Sequence, residues 1–173
     1  MARPLSALRA RPQETAAALM ADGDIYGLRC ARATGLRGRG GRAGAVLDLW
    51  LAPLPALARA GWPVEHARVY VLADDTAHAV DMHPGPRRYL HRNGFPLGTL
   101  CLQYPRDDAA LRWVPEDGLE PFVTAVHRHL MYEEAWRRTG TWPTEDAPHG
   151  DGKAPHRIRT AAVRQAQRDW ARA

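Results

Sequence analysis

The chain has 173 residues, of which 45% are hydrophobic and 25% charged, and this balance suits one compact domain with little room for two. No run of 18 apolar residues occurs, so the sequence predicts no membrane-spanning helix. The opening residues lack the apolar core of a secretory signal, and we therefore expect a cytoplasmic protein whose two cysteines, Cys30 and Cys101, stay reduced. The formal net charge of +5 resides in the first 44 residues, where eight arginines outnumber three acidic residues. This basic end can attract an acidic partner without specifying which one.

The first 22 residues are predicted to form an N-terminal helical region. Its main helix covers residues 12–22, because this segment opens on proline and is followed by glycine. A first strand is predicted over residues 25–34. Residues 36–44, rich in glycine and arginine, are then predicted to form a flexible loop.

Two further segments, residues 45–51 and 67–72, have the composition of strands, with Val, Leu, Trp and Tyr enriched. Residues 76–82 are a third, weaker strand candidate. A short helix or an irregular connection is expected within residues 53–62. Glycines and prolines interrupt residues 83–98, so irregular backbone is expected there before an ordered segment that contains Cys101.

The carboxy-terminal half is predicted to be mainly helical. Apolar residues repeat at helical spacing over residues 119–138, and a glycine follows as a helix end. Residues 145–155 form a predicted polar hinge, and residues 157–172 a last helix. The order of helix, strands and helices predicts a single α+β domain over residues 1–173, with an antiparallel sheet of about four strands.

Cys101 is the main candidate for chemistry. A cysteine becomes a nucleophile as its thiolate, which requires exposure and a positive environment or a nearby base, whereas a buried thiol is an inert small apolar group. By themselves, the flanking Leu100 and Leu102 favour the buried alternative. Asn93 also has two interpretations, since a carboxamide can stabilise an oxyanion and asparagine is a common turn residue. Cys30 has no organised neighbourhood and is predicted to be structural.

The segment that leads to Cys101 resembles the active-site segment of ubiquitin-conjugating enzymes. In that family a His-Pro-Asn triplet and a glycine precede the thioester-forming cysteine and a leucine. Five residues occupy the matching positions without a gap: His91, Asn93, Gly98, Cys101 and Leu102. Arg92 stands where the family has proline.

The residues beyond Cys101 extend the resemblance. An aromatic-proline pair at residues 104–105, a Tyr-Glu pair at 132–133, Thr-Gly-x-Trp-Pro at 139–143 and Pro-His at 148–149 follow in order. Together they resemble the short, single-domain ubiquitin-conjugating-fold proteins of bacterial CBASS anti-phage operons, which lie beside cGAS-like nucleotidyltransferases. The resemblance spans about residues 67–150, and the first 66 residues match only in the order of elements.

The resemblance implies a ubiquitin-conjugating (UBC) fold and a transferase activity. Cys101 would carry the C-terminus of a partner protein as a thioester and pass it to an amine such as a target lysine. Asn93 would stabilise the oxyanion, His91 would hold the loop, and Asp117 is a candidate acid that activates the incoming amine. The implied partner is a cGAS-like nucleotidyltransferase or a ubiquitin-like protein, with a separate adenylating enzyme as a further partner.

The sequence also contains features of binding functions. Conjugating enzymes dock their activating enzyme at the first helix, so Arg3, Arg9 and Arg11 are by resemblance a partner-binding surface. The alternative is a catalytically silent UBC-fold adaptor that binds the same partner. The glycine-arginine loop could bind nucleic acid as RGG segments do, but it lacks interleaved aromatic residues, so a solvated hairpin loop is expected. Metal-ligand spacings and cofactor motifs are missing from the sequence, so we expect neither group.

Overall fold

The computed structural model describes residues 2–38, 43–85, 87–88, 92, 98–102 and 112–143. The elements in chain order are α1 (Leu5–Ala10), α2 (Pro12–Asp22), β1 (Leu28–Arg37), β2 (Ala43–Leu51), α3 (Pro55–Arg59), β3 (Glu65–Val71), β4 (Ala77–Asp81), a 3-10 turn (Pro115–Asp117) and α4 (Leu119–Thr139). The predicted helix over residues 12–22 is confirmed by α2, and the helix predicted over residues 119–138 by α4.

The four strands form one antiparallel sheet in the order β1-β2-β3-β4, so each strand pairs with its neighbour in sequence. Alternate residues of β2 are buried, as expected for a strand with one face on the core. Leu49 of β2 pairs with Ala67 of β3, and both are fully buried on that inner face. The α+β class and the antiparallel sheet predicted from the sequence are confirmed.

The helices α1, α2 and α4 contribute side chains to the same hydrophobic core as the inner face of the sheet. Its members are mostly leucine and valine: Leu5, Leu8, Leu19, Leu47, Leu49, Val69, Val123, Val126 and Leu130. The six-residue helix α1 has no acidic residue in its first turn and no side-chain cap, and isolated helices this short are unstable in water. Its position therefore depends on the burial of Leu5 and Leu8.

The prediction of a flexible loop over residues 36–44 was wrong at both ends, because the two strands extend into this segment. Leu36 pairs with Gly44, and Arg37 pairs with Ala43, so these four residues extend the β1–β2 ladder. A β-carbon on Gly44 would lie 2.9 Å from the carbonyl oxygen of Val71, so this glycine permits close approach of two strands. Residues 39–42 at the tip lie outside the described residues.

Both ends of α4 are closed by glycines with positive φ. Gly118 (φ 85°) precedes the helix, and the N–H of Leu119 donates to the carbonyl oxygen of Arg3 at 2.8 Å. Gly140 (φ 77°) ends the helix in the left-handed conformation, as its place in the sequence predicts. The hinge predicted over residues 145–155 and the helix over residues 157–172 lie outside the described residues. Among the helices described, none is both long and apolar enough to cross a membrane.

Candidate functional site around Cys101

Cys101 lies on a short segment, residues 98–102, that runs beside the edge strand β4. The N–H of Leu100 donates to the carbonyl oxygen of Ala79 in β4 at 2.8 Å, and Leu100 also forms an isolated antiparallel bridge with Arg92. This bond occupies a carbonyl on the outer edge of the sheet, where unpaired backbone groups would otherwise remain. The backbone next to Cys101 is therefore fixed to the sheet.

The side chains of this segment differ in exposure. Thr99 and Leu100 are only 1% and 3% exposed, whereas Cys101 and Leu102 are partly exposed. Leu102 packs against the main core. The sulfur-bearing residue thus follows two buried residues and is not sealed in the core, in contrast to the buried alternative that its leucine neighbours favour.

Cys30 provides a comparison within the same chain. It is also a free and partly exposed cysteine, but it lies in β1 at a register position opposite Trp50 of β2. Trp50 stacks on His66 with ring centroids 4.4 Å apart. Cys30 therefore belongs to a strand of the sheet, next to an irregularity in the β1–β2 register between Leu28 and Cys30.

Arg92 is part of a buried cluster of charges. The cluster joins β3, β4, the segments at residues 87 and 92, and α4. Its members, called the ion cluster below, are Glu65, Asp81, Arg87, Arg92, His129, Glu133 and Arg137. Each of these side chains is at most 12% exposed. Such a buried cluster persists only where opposite charges and hydrogen bonds satisfy one another.

The guanidinium of Arg92 connects two elements within the ion cluster. It donates both terminal N–H groups to the two carboxylate oxygens of Glu133 in α4, with Nη2 at 2.7 Å from Oε2. Nη2 also lies 3.5 Å from Oδ2 of Asp81 in β4. The side chain therefore bridges the long helix and the edge strand, while the backbone of the same residue pairs with Leu100.

The two buried glutamates of the ion cluster respond differently to their surroundings. Burial alone would raise the pKa of Glu133, but the charge of Arg92 and the hydrogen bond with His129 outweigh it and lower that pKa to about 2. For Glu65, burial prevails over the ion pair with Arg87, and the pKa is raised. Glu133 is thus the carboxylate that its partners hold ionised most firmly.

Glu133 and Trp142, two of the motif residues downstream of Cys101, contact this cluster. Trp142 places its ring edge-on to His129 and to Tyr132, with centroids 5.7 Å and 5.8 Å apart. His129 Nε2 is 3.4 Å from an oxygen of Glu133, the carboxylate that binds Arg92. The sequence shows the Tyr-Glu and Thr-Gly-x-Trp motifs, but it does not show these contacts.

His91 and Asn93 lie outside the described residues, as do residues 104–105 and 148–149. The predicted oxyanion and loop-holding roles of Asn93 and His91 accordingly stay predictions. Asp117 is described, and its Oδ2 accepts a hydrogen bond of 2.9 Å from the N–H of Val114 to close the 3-10 turn. It also lines an open groove of about 550 Å³ beside the start of α4, together with Asp24 and Arg128. Its role as an amine-activating acid stays a prediction.

The three arginines of the predicted partner surface differ in their surroundings. Arg3 forms ion pairs with Asp22 and Glu120, and its side chain is 20% exposed. Arg9 pairs with Asp75 at 2.8 Å. Arg11 is 69% exposed and lies 3.5 Å from Glu14. Two of the three arginines thus hold the N-terminal helices in place, and Arg11 projects from the surface.

Among known proteins, no family model, no curated protein and no solved structure matches the chain. Within the described residues, no group of three or more His, Cys, Asp or Glu side chains is arranged to hold a metal ion.

Proposed function

We propose that this chain is a ubiquitin-conjugating-like acyltransferase of the UBC fold that carries an acyl group on Cys101. The order of elements supports the fold: N-terminal helices, an antiparallel meander of four strands, a cysteine-bearing segment and then a long helix that shares the core of the sheet. The motif residues at 91–102 and 132–143 support the family.

The observation that carries the proposal is the setting of Cys101. A thiol that accepts a large acyl group must be reachable, and its backbone must stay in place while two macromolecules approach it. Cys101 is partly exposed, and its neighbour Leu100 is buried and bonded to Ala79. This combination of a partly exposed cysteine and a fixed neighbouring backbone suits a covalent carrier.

The proposed reaction has two acyl transfers. First, the Cys101 thiolate attacks the carbonyl carbon of an activated C-terminus, forms the C–S bond and expels the previous carrier, an adenylate or a thiolate. Then a neutral amine attacks the thioester carbonyl, the C–S bond breaks, and the amide forms as the amine loses a proton and Cys101 returns as thiolate. Asn93 donates to the oxyanion of each tetrahedral intermediate in this proposal. The chemistry needs no redox step.

The proposed setting is bacterial anti-phage defence. The donor would be the C-terminus of a cGAS-like nucleotidyltransferase or of a ubiquitin-like protein, activated by a separate adenylating enzyme, and the acceptor a lysine of a target protein. A catalytically silent adaptor of the same fold would bind the same donor without a covalent bond.

A trapping experiment separates these two functions. The tagged chain is purified from its native host at acidic pH without reductant, and its intact mass is measured before and after neutral hydroxylamine, which cleaves thioesters. We expect a heavier species that hydroxylamine removes and whose added mass identifies the donor. Cys101→Ala should abolish that species, Cys101→Ser should give an oxyester that resists thiols, and the matched control Cys30→Ala should retain the wild-type adduct.

The same experiment contains the contrary result. An adduct that persists in Cys101→Ala, or that disappears equally in Cys30→Ala, would remove Cys101 as the carrier. A donor that co-purifies without any covalent adduct in the wild-type chain would favour the adaptor.

A further inference from the structure

Arg92 contacts three parts of the molecule at once. Its backbone pairs with Leu100 in the Cys101 segment. Its guanidinium binds Glu133 of α4 through two N–H groups and approaches Asp81 of β4.

The guanidinium of Arg92 is buried next to the carboxylates of Glu133 and Asp81. Its side chain is 5% exposed, and those of Glu133 and Asp81 are 0% exposed. Moving the guanidinium would separate a buried cation from the carboxylates of Glu133 and Asp81, which is unfavourable. Glu133 would keep only the longer contacts with His129 and Arg137, each at 3.4 Å. The forked contact with Glu133 also fixes the plane of the guanidinium, since two parallel N–H groups must meet two oxygens.

We propose that Arg92 is a positioning residue for the Cys101 thiol: the Glu133–Arg92–Asp81 contacts hold the strand-like bridge to Leu100, and thereby hold Cys101 at the surface beside β4. The restraint on residues 98–102 does not depend on acyl transfer. Its benefit to thioester formation rests on the proposed function, because a fixed thiol loses less freedom on reaching the reactive geometry.

Arg87 offers a matched control in the same ion cluster. Its side chain is 8% exposed, and it forms a forked pair with Glu65, which is 1% exposed. Removing Arg87 therefore breaks a buried pair of the same kind. The forked pair joins Arg87 to β3, and Nη1 of Arg87 also lies 3.8 Å from Oδ2 of Asp81. Its loss leaves the forked contact between Arg92 and Glu133 and the Arg92–Leu100 bridge in place.

The test compares Arg92→Met with Arg87→Met in the full chain. Two quantities are measured under native conditions: hydrogen exchange of the Leu100 amide, and the ratio of the iodoacetamide labelling rates of Cys101 and Cys30. We expect Arg92→Met to lower the protection of the Leu100 amide by about tenfold or more, because the local opening of residues 98–102 becomes easier. The labelling ratio should rise severalfold, whereas Arg87→Met should change both quantities less than about twofold.

Arg92→Lys extends the test if the methionine variant does not fold. A lysine keeps the charge but cannot make the forked contact, so it should shift both quantities in the same direction by a smaller amount. The positioning role is overturned if Arg92→Met and Arg87→Met change the Leu100 amide equally, or if neither Arg92 variant changes the amide and the labelling ratio. Both readouts are independent of conjugation, so absence of any Cys101 adduct in the wild type would remove the proposed function and leave this result interpretable.

Discussion

Replacing Glu133 by glutamine removes one charge from the ion cluster with little change in side-chain shape. Glu133 is fully buried and accepts both terminal N–H groups of Arg92. The downward shift of its pKa from 4.5 to about 2 corresponds to about 3 kcal/mol of stabilisation at neutral pH. This magnitude agrees with the 3–5 kcal/mol that is typical when one partner of a buried pair is lost. We expect Glu133→Gln to lower the free energy of unfolding by about 3 kcal/mol at pH 6.

The pH dependence supplies a second, independent readout. Because the pKa of Glu133 is lower in the folded chain than in the unfolded chain, its stabilisation is present above about pH 4.5 and is lost as the pH falls toward 2. The difference in unfolding free energy between wild type and Glu133→Gln should therefore fall to about half by pH 3. Other carboxylates titrate in the same range, but they do so in both proteins and cancel in the difference.

Urea unfolding followed by tryptophan fluorescence at several pH values measures this difference. Glu14→Gln is the matched control, since Glu14 is also a helical glutamate with an arginine partner, but its side chain is 72% exposed. It should leave the unfolding midpoint unchanged, because exposed pairs contribute little. A loss below about 1 kcal/mol for Glu133→Gln, or a loss that stays constant down to pH 3, would refute the account of the ion cluster.

Three other changes test the packing. Gly27→Ala should destabilise the fold by more than about 2 kcal/mol in thermal or urea unfolding, since φ is 75° and the new β-carbon would lie 2.3 Å from a carbonyl oxygen. The control Gly61→Ala has a similar φ of 78° but open space around the new β-carbon, so it should cost about 1 kcal/mol. Burial lowers the pKa of His127, so as the pH falls the unfolded chain binds a proton at this histidine before the folded chain does. The melting temperature should therefore fall as the pH drops below about 6.5. His127→Gln should weaken this pH dependence, and an unchanged pH profile would contradict the prediction. Leu8→Ala should cost about 2–5 kcal/mol by urea unfolding, whereas Leu54→Ala, at a residue 53% exposed, should have little effect; equal losses would mean that α1 is not packed on the core.

Secondary structure was predictable wherever one physical signal dominated. The apolar spacing over residues 119–138 predicts α4, because one face of the helix is buried against the core. The enrichment of strand-forming residue types in residues 45–51 predicts most of β2. The glycine-arginine segment misled the prediction at its ends. Glycine is typical of loops, but at Gly44 its lack of a β-carbon serves the close approach to Val71 in a sheet.

The sequence also predicts only part of the candidate site. The resemblance of residues 91–102 to the active-site segment of conjugating enzymes makes Cys101 the candidate, and it can be seen in the sequence because the motif is local. Arg92 and Glu133 are 41 positions apart, and their contact depends on where the edge strand and α4 meet. Charged residues are mostly exposed, so sequence patterns place them on the surface. The sequence could therefore not predict that Glu133 is buried and paired with an arginine from a distant segment.

The amino-acid sequence by itself predicted the α+β class and the two long elements of the core, since these rest on the composition and periodicity of neighbouring residues. The choice of Cys101 over Cys30 as the candidate nucleophile rests on the resemblance of residues 91–102. Only the tertiary structure decided that Cys101 is partly exposed beside β4 and that Arg92 contacts the buried carboxylates of Asp81 and Glu133. The physical reason is that burial and charge pairing are properties of residues brought together from distant parts of the chain, and their energies exist only after the chain has folded.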